Sequence, residues 1–334
     1  MDLYDITVIG GGPVGLFSAT MAGLHGMKVK ILESLPELGG QLYALYPEKP
    51  IYDVAGFPSI LAKDLANALV SQMMRFKPMV CLSESVLSIE ERNQGPQREF
   101  VLTTTKGTHR SRSVLIAIGL GSFVPRKLPA MGADRFEDDG VYYFVPSLTH
   151  FAGHRVAVVG GGDTAVDWAL AVSNYAQHVH LIHRRDEFRA QEDSVRQVLE
   201  SKTITVHTFT EVSEVIGAHT IEALRLAKTA DGSEEILPVD AIIGGLGFQP
   251  NLGPAKTWGL DLKGSGVVVS PSTMGTNRQG VFAVGDVAHY DGKVKLIATG
   301  FGEVGIALAR IRTLLHPELK GLPHSTNVKS LRQH

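Results

Sequence analysis

Gly10, Gly12 and Gly15 of GGGPVGL set a G-x-G-x-x-G spacing, and Gly160 and Gly162 with Ala165 of GGGDTAV repeat it about 150 residues later. Glycines so spaced bring backbone N–H groups up to a pyrophosphate at a helix N-terminus, where unpaired donors and the helix dipole favour an anion. In each copy a second landmark follows 23 residues after the first glycine: Glu33 in one, His183 in the other. A carboxylate in that slot accepts hydrogen bonds from a ribose diol and repels a 2′-phosphate. His183, Arg184 and Arg185, with Arg189 one helical turn on, attract one. Guanidinium–phosphate hydrogen bonds are worth about 1.5–3 kcal/mol each, enough to select NADP(H) over NAD(H). The first set is therefore Gly10, Gly12, Pro13, Gly15 and Glu33; the second is Gly160, Gly162, Asp163, Thr164, Ala165, His183, Arg184, Arg185 and Arg189. The two turns are expected to hold different nucleotides.

Such turns act only inside a strand–turn–helix–strand unit. Tyr4 to Ile9 reads as a strand, a helix runs to about His25, and Lys28 to Leu32 is the next strand. The second copy has strands at Arg155 to Val159 and His178 to Ile182, with a helix between them to about Tyr175. LIAIGLGSFVP (Leu115 to Pro125) echoes AIIGGLGFQP (Ala241 to Pro250), apolar strands broken by Gly and closed by Phe and Pro, which suits two crossings between domains. The predicted fold is α/β: two Rossmann-like, three-layer ββα domains. The domain at 120–247 is inserted into one made of 1–119 and 248–334. Between about 79 and 118 the runs VLSIEE, REFVLTTT and RSVLIAI predict a β-meander of the outer domain.

Composition narrows the chemistry. A chain of 334 residues with 44% apolar and 20% charged residues is an ordinary globular one, and a net charge of −2 gives no reason to expect a nucleic-acid or polybasic membrane partner. No run of about 18 apolar residues is present, and MDLYDITVIG lacks the basic start of a signal peptide, so no membrane span and a cytoplasmic location are expected. Cys81 is the only cysteine, which removes intrachain disulfides, a CxxC redox pair and Cys-rich metal sites. Its place in MVCLSESV predicts a buried, inert thiol.

GGGPVGL, GGQL (Gly39 to Leu42), GGGDTA, HRRDEFRA and VFAVGD together resemble the thioredoxin reductase family of FAD/NADPH proteins across nearly the whole chain. That family carries its CxxC just before the second glycine turn. Here GVYYFVPS has Phe144 and Ser147 in those slots, so dithiol reduction is excluded. ALYPEKPIYDVAGFP, the missing dithiol and the tail HPELKGLPHSTNVKSLRQH, from about 316, make the chain most similar to ferredoxin:NADP reductases of thioredoxin-reductase-like type.

The resemblance implies that the first turn holds FAD. Asp286 of GVFAVGDVA would lie on the ribityl–pyrophosphate linkage, and the helix that starts near Ile297 would point at the flavin pyrimidine, stabilising the reduced ring. It further implies Gly40, Gln41, Tyr46, Val86, Phe123 and Thr326 on FAD, with Tyr46 stacked on one flavin face. His324 would cover the other face, reaching the flavin of the second subunit of a homodimer. Asp53, in YDVAG, could hydrogen-bond near N5 or cap a turn.

The expected reaction passes hydride from NADPH to flavin N5 and then single electrons to a ferredoxin or flavodoxin, with no side-chain nucleophile. Lys293, Lys295, Arg310, Arg312, Lys320 and Lys329 are candidates for a basic rim that meets an acidic partner. The rival readings are an NADPH diaphorase that serves a quinone, oxygen or free flavin, and a non-catalytic FAD/NADPH redox sensor.

Replacing Arg184 and Arg185 together by Ala is expected to weaken NADPH binding at least about 10-fold while NADH binding changes little. Titration of both nucleotides reads this, and an equal loss of the two would remove the 2′-phosphate assignment.

Overall fold

The computed structural model describes residues 2–93, 98–145 and 147–318, leaving the side chains of 122–124 and 248–250 outside the description. The chain divides into two compact units, Met1–Ser122 with Pro250–His334, and Phe123–Gln249. The segments that join them, Ser122–Pro125 and Phe248–Asn251, pair as a two-stranded ribbon.

Both units are built around a five-stranded parallel sheet; four of the strands follow one another in the same order, and the fifth, at the edge, is the last in the chain in the first unit and the first in the second. In the first the order is Val281–Ala283, Val114–Ile116, Ile6–Ile9, Val29–Leu32, Met79–Cys81. In the second it is Val141–Tyr142, Ala241–Gly244, Arg155–Val159, His178–Ile182, Ile204–His207. The strands bearing the glycine turns, ITVI and RVAVV, sit in the middle, where both faces are covered. Continuous apolar runs are what such positions require, and Ile6–Ile9 is buried at every residue.

Each unit also has an antiparallel meander. Val86–Asn93, Glu99–Thr104 and Thr108–Ser111 form it in the first, and Thr210–Ile216, Ala223–Lys228 and Glu234–Pro238 in the second. Val86, Ile89, Phe100 and Leu102 join the central sheet and the helices in one core. The run expected as the meander's third strand, RSVLIAI, does not join the meander: Thr108–Ser111, just upstream of it, closes the meander, and Val114–Ile116 pairs in the parallel sheet.

The helix Pro13–Leu24 begins at Pro13, whose missing N–H costs nothing at that position, and buries Gly15, Ser18, Ala19 and Ala22. These small residues allow close approach. A Cβ on Gly15 would stand 2.0 Å from the Gly10 carbonyl oxygen, and one on Gly23 would stand 2.5 Å from Phe76. The helix Ile297–Leu315 buries Gly300, Glu303, Val304, Ala307, Leu308, Ile311 and Leu315, a 3–4 spacing that gives one buried stripe. Among the described residues no helix is long and apolar enough to cross a membrane.

Two glycines of that last helix should respond oppositely to alanine. A Cβ on Gly300 would stand 2.5 Å from Val14 Cγ2, whereas Gly302 is exposed with open space around it. Gly302→Ala is expected to stabilise by about 0.5–1 kcal/mol through helix propensity. Gly300→Ala should cost about 1–3 kcal/mol through overpacking. Denaturant unfolding of the two variants measures this; the same sign for both would contradict the packing described.

Candidate functional site

The first glycine turn is packed backbone against backbone. Gly10 has φ +106°, and a Cβ there would stand 2.4 Å from the Ala117 carbonyl oxygen. Gly12 enters the helix in extended conformation with no side-chain cap, so the first N–H groups of Pro13–Leu24 are left without a capping side chain. The Gly39 N–H bonds the Gly11 carbonyl at 2.9 Å, and a Cβ on Gly40, at φ +56°, would stand 2.8 Å from Gly12 Cα. The GGQL segment is thereby laid against the turn.

Around this frame the structure gathers several of the residues expected at the flavin nucleotide. Glu33, 5% exposed, accepts hydrogen bonds from the N–H of Gly11 and, at 2.8 Å, from that of Leu35. Gln41 opens the short helix Gln41–Ala44, and its amide nitrogen would be 3.0 Å from a Cβ on Gly119. The Tyr46 hydroxyl donates to Gln41 Oε1 at 3.4 Å. Burial, and then the charge of Asp286, pushes that phenol up to about 12, so it is a neutral donor throughout the physiological range. Burial also raises the Asp286 carboxyl, with Lys295 and then Lys293 opposing. Val14 lies between Gly285, which carries φ +76°, and Gly300. This brings the Gly285–Asp286 turn and the uncapped start of Ile297–Leu315 to the N-terminal end of Pro13–Leu24.

The other expected residues have surroundings of their own or lie outside the description. Asp53 is exposed in the turn that follows the Pro50–Ile51 strand. Val86 is 5% exposed and packs in the core at the start of its strand. The side chain of Phe123, and all of His324 and Thr326, lie outside the described residues.

Lys293 corrects one expectation. It is not on a basic rim: its side chain is 6% exposed and is paired with Glu303, itself 3% exposed. Lys295 is exposed beside Val294 and Leu296, 56% and 40% exposed. Glu303 was missed by sequence reasoning, although a carboxylate inside the apolar stripe GFGEVGIAL was a legible signal.

In the second unit the corresponding geometry recurs with different side chains. Gly160 has φ +149°, and a Cβ on it would stand 2.3 Å from the Gly245 carbonyl oxygen. Gly162 leads uncapped into Asp163–Val172, and Ala165, fully buried, meets Gly245, which has room only for a hydrogen. Thr164 lies half-buried in the first turn of this helix. The His183 ring lies where a Cβ on Gly161 would be, 2.1–2.4 Å away, and its Nε2 is 3.1 Å from the Glu187 carbonyl. His183 thus touches the central glycine of its turn as Glu33 touches Gly11. The chain after it is tied back: the Arg189 N–H bonds the Gly161 carbonyl at 2.7 Å, and the Gln191 N–H bonds Asp163 Oδ1 at 3.0 Å. Arg184, Arg185 and Arg189 are exposed, and Arg184 is 3.9 Å from Glu211. Three cations thereby gather on one loop held to a helix N-terminus, an arrangement suited to a phosphate.

Phe144 is 37% exposed, and the Ser147 hydroxyl bonds that of Thr149 at 2.8 Å. Cys81, in the first unit, is free and half-buried, and burial pushes its thiol up, away from the reactive thiolate.

A model of the pyridine nucleotide-disulphide oxidoreductase family matches residues 4–306. The chain is 48% identical over 328 residues to a ferredoxin–NADP reductase of Geobacillus kaustophilus, with 98% of both chains covered. It is 49% identical over 327 residues to ferredoxin–NADP reductase 2 of Bacillus subtilis, covering 98% of this chain and 97% of that one. Among solved structures, thioredoxin reductase of Lactococcus lactis superposes with a TM-score of 0.80 at 26% identity, over 95% of this chain and all of that one.

The two strands next in order after the one that leads to the second turn, His178–Ile182 and Ile204–His207, carry a pH-sensitive pair. His180 Nδ1 and His207 Nε2 are 3.1 Å apart; burial and then the neighbouring His207 push His180 down to about 4, and burial lowers His207 as well. Below the ordinary 6.5 the unfolded chain takes up a proton at His180 that the folded chain refuses until about 4. The stability is full above that window and is lost as pH falls through it. Thermal unfolding from pH 7 to 4 should show this loss, and His180→Asn should flatten it; an unchanged slope in the variant would assign the loss elsewhere.

Proposed function

The chain belongs to the pyridine nucleotide-disulphide oxidoreductase family, and from that premise we propose that it moves electrons between NADPH and a ferredoxin or flavodoxin. It is an oxidoreductase that uses FAD and NADPH. The observation that carries the ferredoxin reading is the near-complete match, at 48–49% identity, to proteins named ferredoxin–NADP reductase. The single cysteine supports it, because thiol–disulfide exchange at a dithiol needs two.

The residues fit the two nucleotides. The glycine-only approach of Gly12 to Gly40, the uncapped start of Pro13–Leu24 and the Glu33 carboxylate suit the pyrophosphate and ribose of FAD. Gln41, Tyr46, Asp286 and the start of Ile297–Leu315 would meet the flavin half. Gly160, Gly162, Asp163, Thr164 and Ala165 would receive the pyrophosphate of NADPH, with His183, Arg184, Arg185 and Arg189 at its 2′-phosphate. When bound, FAD supplies the chemistry that accepts an electron pair and passes it on singly.

The protein's own share is to orient and to exclude water. Neutral Tyr46 donates without offering a charge, and the helix N-terminus at Ile297 stabilises negative charge near it. In keeping with the resemblance, His324 would cover the flavin of a second copy in a homodimer and Thr326 would contact FAD; both lie outside the described residues.

Partner docking falls to Lys295 with Val294 and Leu296, a cation flanked by exposed apolar side chains beside the Asp286 turn. Cytochrome c reduction should be strongly stimulated by added ferredoxin and should fall with salt. Lys295→Glu is expected to slow it about 3–10-fold at low ionic strength and to leave ferricyanide reduction unchanged. Fast NADPH oxidation without stimulation by any ferredoxin or flavodoxin would replace this reading with the diaphorase.

A further inference from the structure

Glu303 is 3% exposed in the apolar stripe of Ile297–Leu315, where an unpartnered carboxylate would be costly. It has three partners. Oε2 accepts the Gly285 N–H at 2.7 Å; Oε1 accepts the Tyr290 hydroxyl at 2.6 Å and the ammonium of Lys293, which is itself 6% exposed. Gly285 sits at φ +76° and is followed directly by Asp286. One carboxylate therefore ties the strand exit at Gly285 and the loop through Tyr290 and Lys293 to the second turn of the helix whose N-terminus faces the same site. The backbone holds one side of this turn, through the Ala288 N–H on the Gly285 carbonyl, and Glu303 holds the other by taking the Gly285 N–H.

We propose that Glu303, Lys293 and Tyr290 form a buried, charge-neutral clamp that fixes the Gly285–Asp286 turn in the shape that receives the flavin nucleotide. This rests on the reading of the first unit as the FAD site. Glu303 and Lys293 are positioning residues: they act on the nucleotide through the turn. The matched charges also matter to the flavin, because an ammonium released from its carboxylate beside Asp286 would favour the reduced, negatively charged ring.

The experiment is a small variant series on the FAD-loaded full-length protein, read by FAD release in flavin fluorescence and by the flavin midpoint potential. Glu303→Gln keeps the shape but turns an amide N–H toward the Lys293 ammonium or toward Gly285 N–H. It is expected to weaken FAD binding about 10-fold or more and to shift the potential positive. The double variant Glu303→Gln with Lys293→Met removes the mismatched charge and should return FAD binding to within about 3-fold of the parent, with the potential back near its starting value. Tyr290→Phe, which removes one donor and keeps the ion pair, should weaken FAD about 3-fold and provides a soluble variant should the others unfold. The clamp is overturned if Glu303→Gln holds FAD as tightly as the parent, or if the double variant is no better than the single one. A parent protein that binds no FAD would instead sink the reading of the site itself.

Discussion

Backbone running against backbone, with no room for a side chain between, is the constraint on which the rest of this structure depends. At Gly10 the turn lies against the Ala117 carbonyl, and at Gly160 against that of Gly245, so in both units the strand carrying the turn and the strand beside it are locked at their C-terminal ends. Everything that could recognise a nucleotide is hung from that junction: the uncapped helix start, the residue at the end of the next strand, and the Gly-rich exit of the neighbouring strand. A methyl group at any of these contacts would separate the strands that define the site.

On this common frame the two units part company through one position. Glu33 places a carboxylate on the Gly11 N–H, and His183 places a ring on Gly161, both from the end of the second strand. What differs is the chain that follows. After His183 the backbone is drawn back to its turn through Arg189 and Gln191, so that the guanidinium groups of a polar loop are carried to a helix N-terminus. After Glu33 the chain passes through Gly39 and Gly40 to lie on its turn and then supplies Gln41 and Tyr46. The same geometry thus presents cations in one unit and an apolar, hydrogen-bonding wall in the other.

The buried charges follow from this division. The first unit keeps Glu303 and Lys293 as a matched pair among apolar side chains, which holds the Gly285 turn without leaving a net charge inside. It also withdraws Lys293 from the surface, so the cationic character beside Asp286 rests on Lys295.

The sequence by itself determined the α/β class and the central strands: Arg155–Val159 and His178–Ile182 have the bounds their apolar runs predict, because buried parallel strands need unbroken apolar residues. It also placed the glycine turns, whose spacing reflects a local backbone requirement. Helix ends were less legible: Asp163–Val172 stops before the expected Tyr175, since nothing in its composition marks the exit turn. Only tertiary structure assigned Val114–Ile116 to the parallel sheet instead of the meander, as a short apolar strand fits either. It alone set Asp286 close enough to Tyr46 to act on its phenol across most of the chain, and turned Lys293 inward to Glu303 ten residues on, because no local pattern encodes either contact.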